Sequence, residues 1–308
     1  FISYPTAASV DGFVSGVAAM TMHGQKLTYP SASPDALFAD DDVYSKAPPR
    51  LTASGVGDII GKFTALFDWE IAHLIIGEHL CPEIASLIRR AIDGVYSAAS
   101  EAGGANSKDF PRRVIDCLIL SGLAMQLMGN SRPASGAEHH MAHFWEMHVA
   151  NPPTDALHGE KVGLATILVL KRLEALRKSH LPRVDIDVAR VFNKNKVYSV
   201  YGELTDGIIK ENLPGGQNEY TSSVLYNIRP DCLIKNEERV MGLLAGLPSS
   251  GEITRVLKGC GAPTTLGEID LPQGDSFKQI SAIYSPYVRN RLTLMKILSA
   301  NIVMHGDV

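Results

Sequence analysis

Cysteine is scarce in this chain: 308 residues hold four, Cys81, Cys117, Cys232 and Cys260, and no two form a C-x-x-C pair. That scarcity excludes a disulfide-stapled scaffold and a cysteine zinc knot, and it suits a reducing cytoplasm. Long apolar runs are missing as well. The longest, Val114 to Met128, is interrupted by Asp116, Ser121 and Gln126 and falls short of the ~20 residues a membrane-spanning helix needs. It reads as a buried helix, so no membrane insertion is expected. Nor is there an excess of positive charge: 29 Lys and Arg stand against 33 Asp and Glu, a net charge of −4. Without a basic footprint or a local basic patch, no nucleic-acid partner is expected. No G-x-G-x-x-G, G-x-x-x-x-G-K-[ST] or G-x-S-x-G occurs, which removes the usual support for kinase, P-loop and serine-hydrolase chemistry. Internal repeats and low-complexity tracts are absent too.

What is present is a chain with 45% hydrophobic residues, enough for one large or two medium domains. The opening Phe1-Ile2-Ser3-Tyr4-Pro5 has no initiator Met, charged n-region or cleavage pattern, and reads as a start inside a β-strand of a packed domain. Val17 to Met22 and Lys26 to Tyr29, joined through His23-Gly24, read as a hairpin, and Asp35 to Asp40 as one more strand. After Pro48-Pro49 the texture turns helical. Helices are expected over Gly57 to Ile76, Pro82 to Ser100, Pro111 to Met128, Ala137 to His148, Glu160 to Lys178 and Tyr284 to Ala300. Ser135 is the expected N-cap of the fourth, with Glu138 completing a capping box. Shorter helical pieces between Pro182 and Cys260 are broken at Pro214-Gly215-Gly216 and Pro248, and Gly261 to Gly267 forms a turn.

Five of the ten histidines fall between positions 139 and 158. His139 and His143, spaced i and i+4, project from one helix face, and His158 follows the Asn151-Pro152-Pro153 loop closely enough to fold back to them. A catalytic metal commonly takes two histidines and a carboxylate and keeps one position open. Asp58, Glu138 and Glu146 are the candidate carboxylates. Asp58 stands out because Ser54-Gly55-Val56-Gly57 would deliver it at the mouth of a helix, where the dipole favours a carboxylate. Spacing alone weighs a metal site about equally against ordinary polar helix residues, and His140 and His148 read as structural. Two further segments carry chemistry. Pro5 to Gly12 sets two hydroxyls and a carboxylate at a strand exit, which suits polyol hydroxyls but is also an ordinary turn composition. Gly129 to Gly136 leads into the histidine helix with Arg132 among hydroxyls and amides; it fits a phosphate seat or an arginine paired with a surface carboxylate.

Taken together, Pro5-Thr6-Ala7-Ala8-Ser9-Val10-Asp11-Gly12, Gly55-Val56-Gly57-Asp58, Asn130 to His140, Leu157-His158-Gly159-Glu160-Lys161-Val162 and Tyr287 to Arg291 resemble the sn-glycerol-1-phosphate dehydrogenase family. That family lies within the iron-containing alcohol dehydrogenase and glycerol dehydrogenase superfamily, and the wording is closer to its bacterial, AraM-like branch. The resemblance implies a dehydroquinate synthase-like or glycerol dehydrogenase-like fold: an α/β remnant, residues 1–49, ending a Rossmann-like cofactor domain, then a large all-α metal- and substrate-binding domain, residues 50–308. It implies Asp58, His139 and His158 as metal ligands, leaving an open position. His143 would face the substrate, Asp11 would hold a substrate hydroxyl, and Thr6, Ser9 and Ser15 would contact the nicotinamide. His140 also lies three residues from His143, a spacing glycerol dehydrogenases use, while the Glu-His-x-x-x-His frame favours His139. Lys62 falls where some related alcohol dehydrogenases carry a further metal-binding histidine. Arg132 is assigned to the substrate phosphate.

The implied reaction interconverts sn-glycerol 1-phosphate and dihydroxyacetone phosphate with NAD or NADP and a divalent metal (zinc, nickel or iron), supplying glycerophosphate for lipid synthesis. A homodimer in the cytoplasm is implied with it. Family members begin with a Rossmann-like half bearing a Gly-rich pyrophosphate loop, so about a hundred residues are expected to be missing upstream, given the ~100–150 residues of such a domain. A glycerol or other polyol dehydrogenase, or a metal-binding fragment without turnover, is the alternative.

Overall fold

The structure is a computed structural model that describes residues 1–101, 104–178, 181, 194–212, 224–229 and 231–305. Its strands all lie in the first 37 positions. β1 (Ile2–Ser3) pairs in parallel with β4 (Ala36–Leu37), and β2 (Val17–Met22) pairs antiparallel with β3 (Gln25–Pro30). The hairpin is the expected one. His23 and Gly24 both take positive φ, 49° and 79°, the double left-handed turn whose twist matches two paired strands.

From residue 41 on, the described chain is helical: α1 (Asp41–Tyr44), α2 (Pro49–Ile76), α3 (Pro82–Ser100), α4 (Phe110–Met128), α5 (Ala137–Glu146) and α6 (His158–Leu176). There follow α7 (Lys194–Tyr201), α8 (Thr205–Asn212), α9 (Cys232–Lys235), α10 (Glu237–Ala245), α11 (Ser250–Gly259), α12 (Asp275–Tyr284) and α13 (Leu294–His305). Prolines open α2 and α3 at the first helical position, where the missing N–H costs nothing, and Gly77 and Gly129 close α2 and α4 at φ 71° and 74°. The core fills the space between these helices with Ile59, Ile60, Trp69, Ile71, Phe144 and Trp145, all fully buried.

Three sequence expectations need correction. α2 begins at Pro49 rather than Gly57, so the Gly55-Val56-Gly57 run lies inside it and Asp58 is mid-helix, away from the positive end of the dipole. Those glycines serve close approach instead. A Cβ at Gly55 would sit 2.1 Å from the Ala8 carbonyl oxygen, and one at Gly57 would sit 2.2 Å from that of Gly159. The N-terminal segment and α6 therefore lie directly against the α2 backbone, one on either side of Asp58.

Ser135 is not a cap. It is extended, and no side-chain cap bonds α5 at Gly136. The first amides of α5 are satisfied by carboxylates: Ala137 N–H donates to Asp68 Oδ2 at 2.8 Å and Gly136 N–H to Glu138 Oε1 at 2.7 Å. Asp68 Oδ1 also accepts from Leu294 N–H at 2.8 Å, so one buried carboxylate anchors α5 and α13 to α2.

The last expected helix, Tyr284 to Ala300, is two helices. A single turn at Ser285–Val288, containing Pro286, ends α12, and the chain then runs extended through Arg289 before α13 starts. The expected break at Pro214-Gly215-Gly216 lies outside the described residues.

Candidate active site

Three elements bring the candidate ligands together. α2 carries Asp58, α5 carries His139 and His143 on one face, and His158 is the first residue of α6. The start of α6 is fixed by Glu160, whose Oε2 accepts the Leu157 N–H at 2.8 Å and whose Oε1 accepts from Arg50 Nε at 2.6 Å. Donor atoms of Asp58, His139 and His158 all lie within 4.8 Å of one another. His143, Glu146 and His158 form a second such group among the described residues.

Hydrogen bonds discriminate between the two groups. Glu138 Oε1 stands 2.8 Å from His139 Nδ1, and Glu146 Oε1 stands 2.8 Å from His158 Nδ1. Each carboxylate takes the outer ring nitrogen, leaving Nε2 for a metal, as in carboxylate–histidine–metal arrangements generally. His139 Nε2 is 3.4 Å from Asp58 Oδ1. Glu138 is held in turn by Thr64 Oγ1 at 2.5 Å, and Glu146 by Lys26 at 2.9 Å. Two imidazole nitrogens and one carboxylate oxygen converge with their outer partners satisfied, a donor set that fits a divalent transition metal with a position to spare.

Lys62, a turn after Asp58 and fully buried, places Nζ 2.6 Å from Asp58 Oδ1 and 2.9 Å from Asp11 Oδ2. Burial opposes its charge, but the Asp11 and Asp58 carboxylates outweigh that and hold the ammonium above its usual range. Burial likewise opposes the Asp58 carboxylate, and Lys62 foremost, with His139, keeps it well below the usual carboxylate range. Asp11 also accepts from Ser121 Oγ at 2.7 Å, while its own N–H donates to Asp58 Oδ2 at 3.0 Å. The turn bearing Asp11 is thereby tied to the ligand set.

The histidine donors open onto a cavity of about 500 Å³ lined by Asp11, Ser15, Lys26, Ser131, Ser135, His139, His143 and His158, among others. His143 completes a triangle with the two candidate ligand histidines, its ring centroid 6.0 Å from that of His139 and 5.6 Å from that of His158, which are 5.4 Å from each other. Burial pushes its pKa well below the usual imidazole value, and its Nδ1 has no hydrogen-bond partner among the described residues.

The remaining expected residues divide. Ser15 lines the cavity and donates to Gly12 and Val17 carbonyls at 3.1 and 3.0 Å. Ser9 is half-buried, its carbonyl accepting from Ser54 Oγ at 3.3 Å, and Thr6 is exposed; neither is on the cavity wall. His148 is exposed at φ 54°, and His140 is fully buried with neither ring nitrogen partnered among the described residues.

Arg132 is displaced from its expected role. It is 2% exposed, does not line the cavity, and donates to Glu78 Oε1 at 2.8 Å and to the Asp68 and Leu292 carbonyls at 2.8 and 3.0 Å. It binds helices together. Reading the sequence missed the orienting role of Glu138 and Glu146 and the presence of Lys26 on the wall. The signal for the first pair was their position, one residue before His139 and twelve before His158; nothing local marks Lys26.

Residues 1–48 match the family model described as iron-containing alcohol dehydrogenase. The glycerol-1-phosphate dehydrogenase (NAD(P)+) of Halalkalibacterium halodurans is 34% identical over 303 residues, covering 98% of this chain and 66% of that protein. The protein of the same name from Bacillus subtilis is 31% identical over 309 residues, covering 99% and 66%. That of Bacillus licheniformis is 40% identical over 208 residues, 67% of this chain and 50% of that protein. The chain thus spans less than two thirds of the length of these curated relatives. Among solved structures, an iron-containing alcohol dehydrogenase from Thermococcus thioreducens superposes with TM-score 0.52 at 15% identity, covering 99% of this chain and 65% of that one. A 1,3-propanediol oxidoreductase superposes with TM-score 0.51 at 16% identity, covering 98% and 64%. At such identities the structures establish the fold alone.

Proposed function

The chain belongs to the glycerol-1-phosphate dehydrogenase family of iron-containing alcohol dehydrogenases, and from that membership we propose that it interconverts sn-glycerol 1-phosphate and dihydroxyacetone phosphate with NAD or NADP. The observation that carries this reading is the convergence of Asp58, His139 and His158, the two histidines on the cavity wall and each backed by its own carboxylate. Asp58, His139 and His158 would hold one divalent ion, and zinc, nickel or iron all suit two nitrogens and an oxygen. When bound, the ion supplies the positive charge that polarises the C2 oxygen, and NAD(P) supplies the hydride acceptor.

The chain's own residues do the rest. Lys62 and Ser121 fix one oxygen of Asp11, leaving the other for a substrate hydroxyl. The neutral His143, buried with an open ring nitrogen, is placed to take the hydroxyl proton during oxidation and return it during reduction. Ser15 lies on the wall toward which the nicotinamide would be turned, with Ser9 and Thr6 on the segment leading to it. In this reading residues 1–49 end a nucleotide-binding domain and residues 50–308 form the metal- and substrate-binding body. A homodimer in the cytoplasm belongs to the same reading. The four cysteines are all free thiols, and among the described residues no helix is long and apolar enough to cross a membrane.

Oxidation of NADH or NADPH by the metal-loaded protein tests the reaction. Turnover with dihydroxyacetone phosphate well above that with dihydroxyacetone is expected. Preference for the unphosphorylated ketone would make the chain a polyol dehydrogenase, and failure to bind either nucleotide would leave a metal-binding body without turnover.

A further inference from the structure

With Arg132 committed to helix packing, the cavity needs another account of how a phosphorylated ligand is held. Next to it lies a second cavity of about 320 Å³ that shares Val17, Thr28 and Ser131 with the first and is also lined by Arg289 and Arg291. Among the described residues both guanidinium groups bond only neutral oxygens. Arg289 donates to the Lys26 and Val288 carbonyls at 2.5 and 3.0 Å and to Thr28 Oγ1 at 3.1 Å. Arg291 donates to the Ser135 carbonyl at 2.9 Å and to Ser131 Oγ at 3.3 Å. Among the described residues neither has a carboxylate in ion-pair range, and the acid on the second cavity's wall, Glu211, accepts from Asn290 N–H at 3.2 Å.

Two half-buried cations that no carboxylate of the described residues reaches within ion-pair range are costly as they stand, Glu211 acting on Arg289 only at longer range, and a guanidinium fork matches phosphate geometry. Burial pushes the Arg291 guanidinium down to about 9, with the Arg132 and Arg289 charges adding to the effect, and it stays charged at neutral pH. Lys296 Nζ, 2.8 Å from the Arg289 carbonyl and 2.6 Å from Asn212 Oδ1, pins the extended segment that presents the pair. Ser131 and Ser135, the partners of Arg291, are themselves on the wall of the histidine cavity. A ligand that reaches from His139 and His158 along this edge meets the two arginines.

We propose that Arg289 and Arg291, with the Thr28 and Ser131 hydroxyls, form the seat for the substrate's phosphate group. The identity of the ligand rests on the proposed function; the anion seat rests on the arginine pair. Calorimetric titration of the metal-loaded protein with inorganic phosphate, sn-glycerol 1-phosphate and glycerol separates the two. Arg289→Gln and Arg291→Gln should each weaken phosphate and glycerol 1-phosphate about tenfold or more and leave glycerol unchanged. Phosphate affinity equal to that of the unaltered protein in both variants would overturn the seat. If the unaltered protein binds glycerol as tightly as glycerol 1-phosphate, the substrate reading fails, while the variants' phosphate affinities still decide the seat. Arg291→Gln also removes a bond to the Ser135 carbonyl. Should it not fold, the arginine Nε–H NMR signals of the unaltered protein answer the question: both should shift on adding phosphate, and absence of a shift in either overturns the proposal.

Discussion

His139 and His158 are each turned by a carboxylate on Nδ1, Glu138 for the first and Glu146 for the second. Glu138 and Glu146 are carboxylates near the histidines, and spacing cannot show whether such a group faces the inner or the outer ring nitrogen; the structure puts both outside. Arg132 shows the same limit from the other side. Its setting among hydroxyls and amides is legible, but the burial that turns it toward Glu78, Asp68 and Leu292 depends on contacts 54 to 160 positions away. His140 is a structural residue with a measurable cost. Burial, helped by the charges of Arg291 and Lys296, holds its pKa well below the usual value, so the folded state takes up fewer protons than the unfolded one below pH ~6.5. Its contribution to stability is therefore intact above about pH 6.5 and lost as pH falls from there toward the depressed folded value. Thermal melts of His140→Phe should show a smaller drop between pH 7 and pH 5 than the unaltered protein. An identical drop in both would remove His140 as a source of acid sensitivity.

At the scale of elements, the hairpin and the boundaries of α3 and α4 follow from local chemistry, because prolines and turn residues act on their own neighbours. The start of α2 does not. Glycines normally end helices, and only the proximity of Ala8 and Gly159 explains why they persist inside this one. The two parts of the last helical stretch are hidden for a similar reason: apolar periodicity continues across Pro286, and the extended Arg289 is held from the next helix, its carbonyl accepting from the buried Lys296. Gly57→Ala tests the close approach. Its methyl would meet the Gly159 carbonyl at 2.2 Å, forcing α2 from α6, and a loss of about 1–3 kcal/mol in urea unfolding is expected. Metal affinity should fall with it, since these helices carry Asp58 and His158. Unfolding at the same urea concentration as the unaltered protein would show that the contact yields freely.

Across the whole molecule, the division into strands before residue 38 and helices after it was legible from composition and punctuation, as was the clustering of histidines. Spacing marked His139, His143 and His158 and singled out Asp58 among the carboxylates, but joining Asp58, His139 and His158 into one candidate set came from family likeness, because Asp58 is 81 positions from His139 and no spacing rule joins them. Folding supplies the join: the turn bearing Asp11, helix α2 and the start of α6 meet around Asp58, and the resulting cavity faces the strand-bearing segment. Two overlapping donor groups meet at His158, so metal binding by single-residue variants is the most direct test. Inductively coupled plasma mass spectrometry with zinc titration should find one ion per unaltered chain. Asp58→Asn and His139→Ala should lose it, with affinity reduced ~100-fold or more, and His143→Ala should retain it. Retention in Asp58→Asn together with loss in His143→Ala would place the ion at His143, Glu146 and His158 and contradict the assignment.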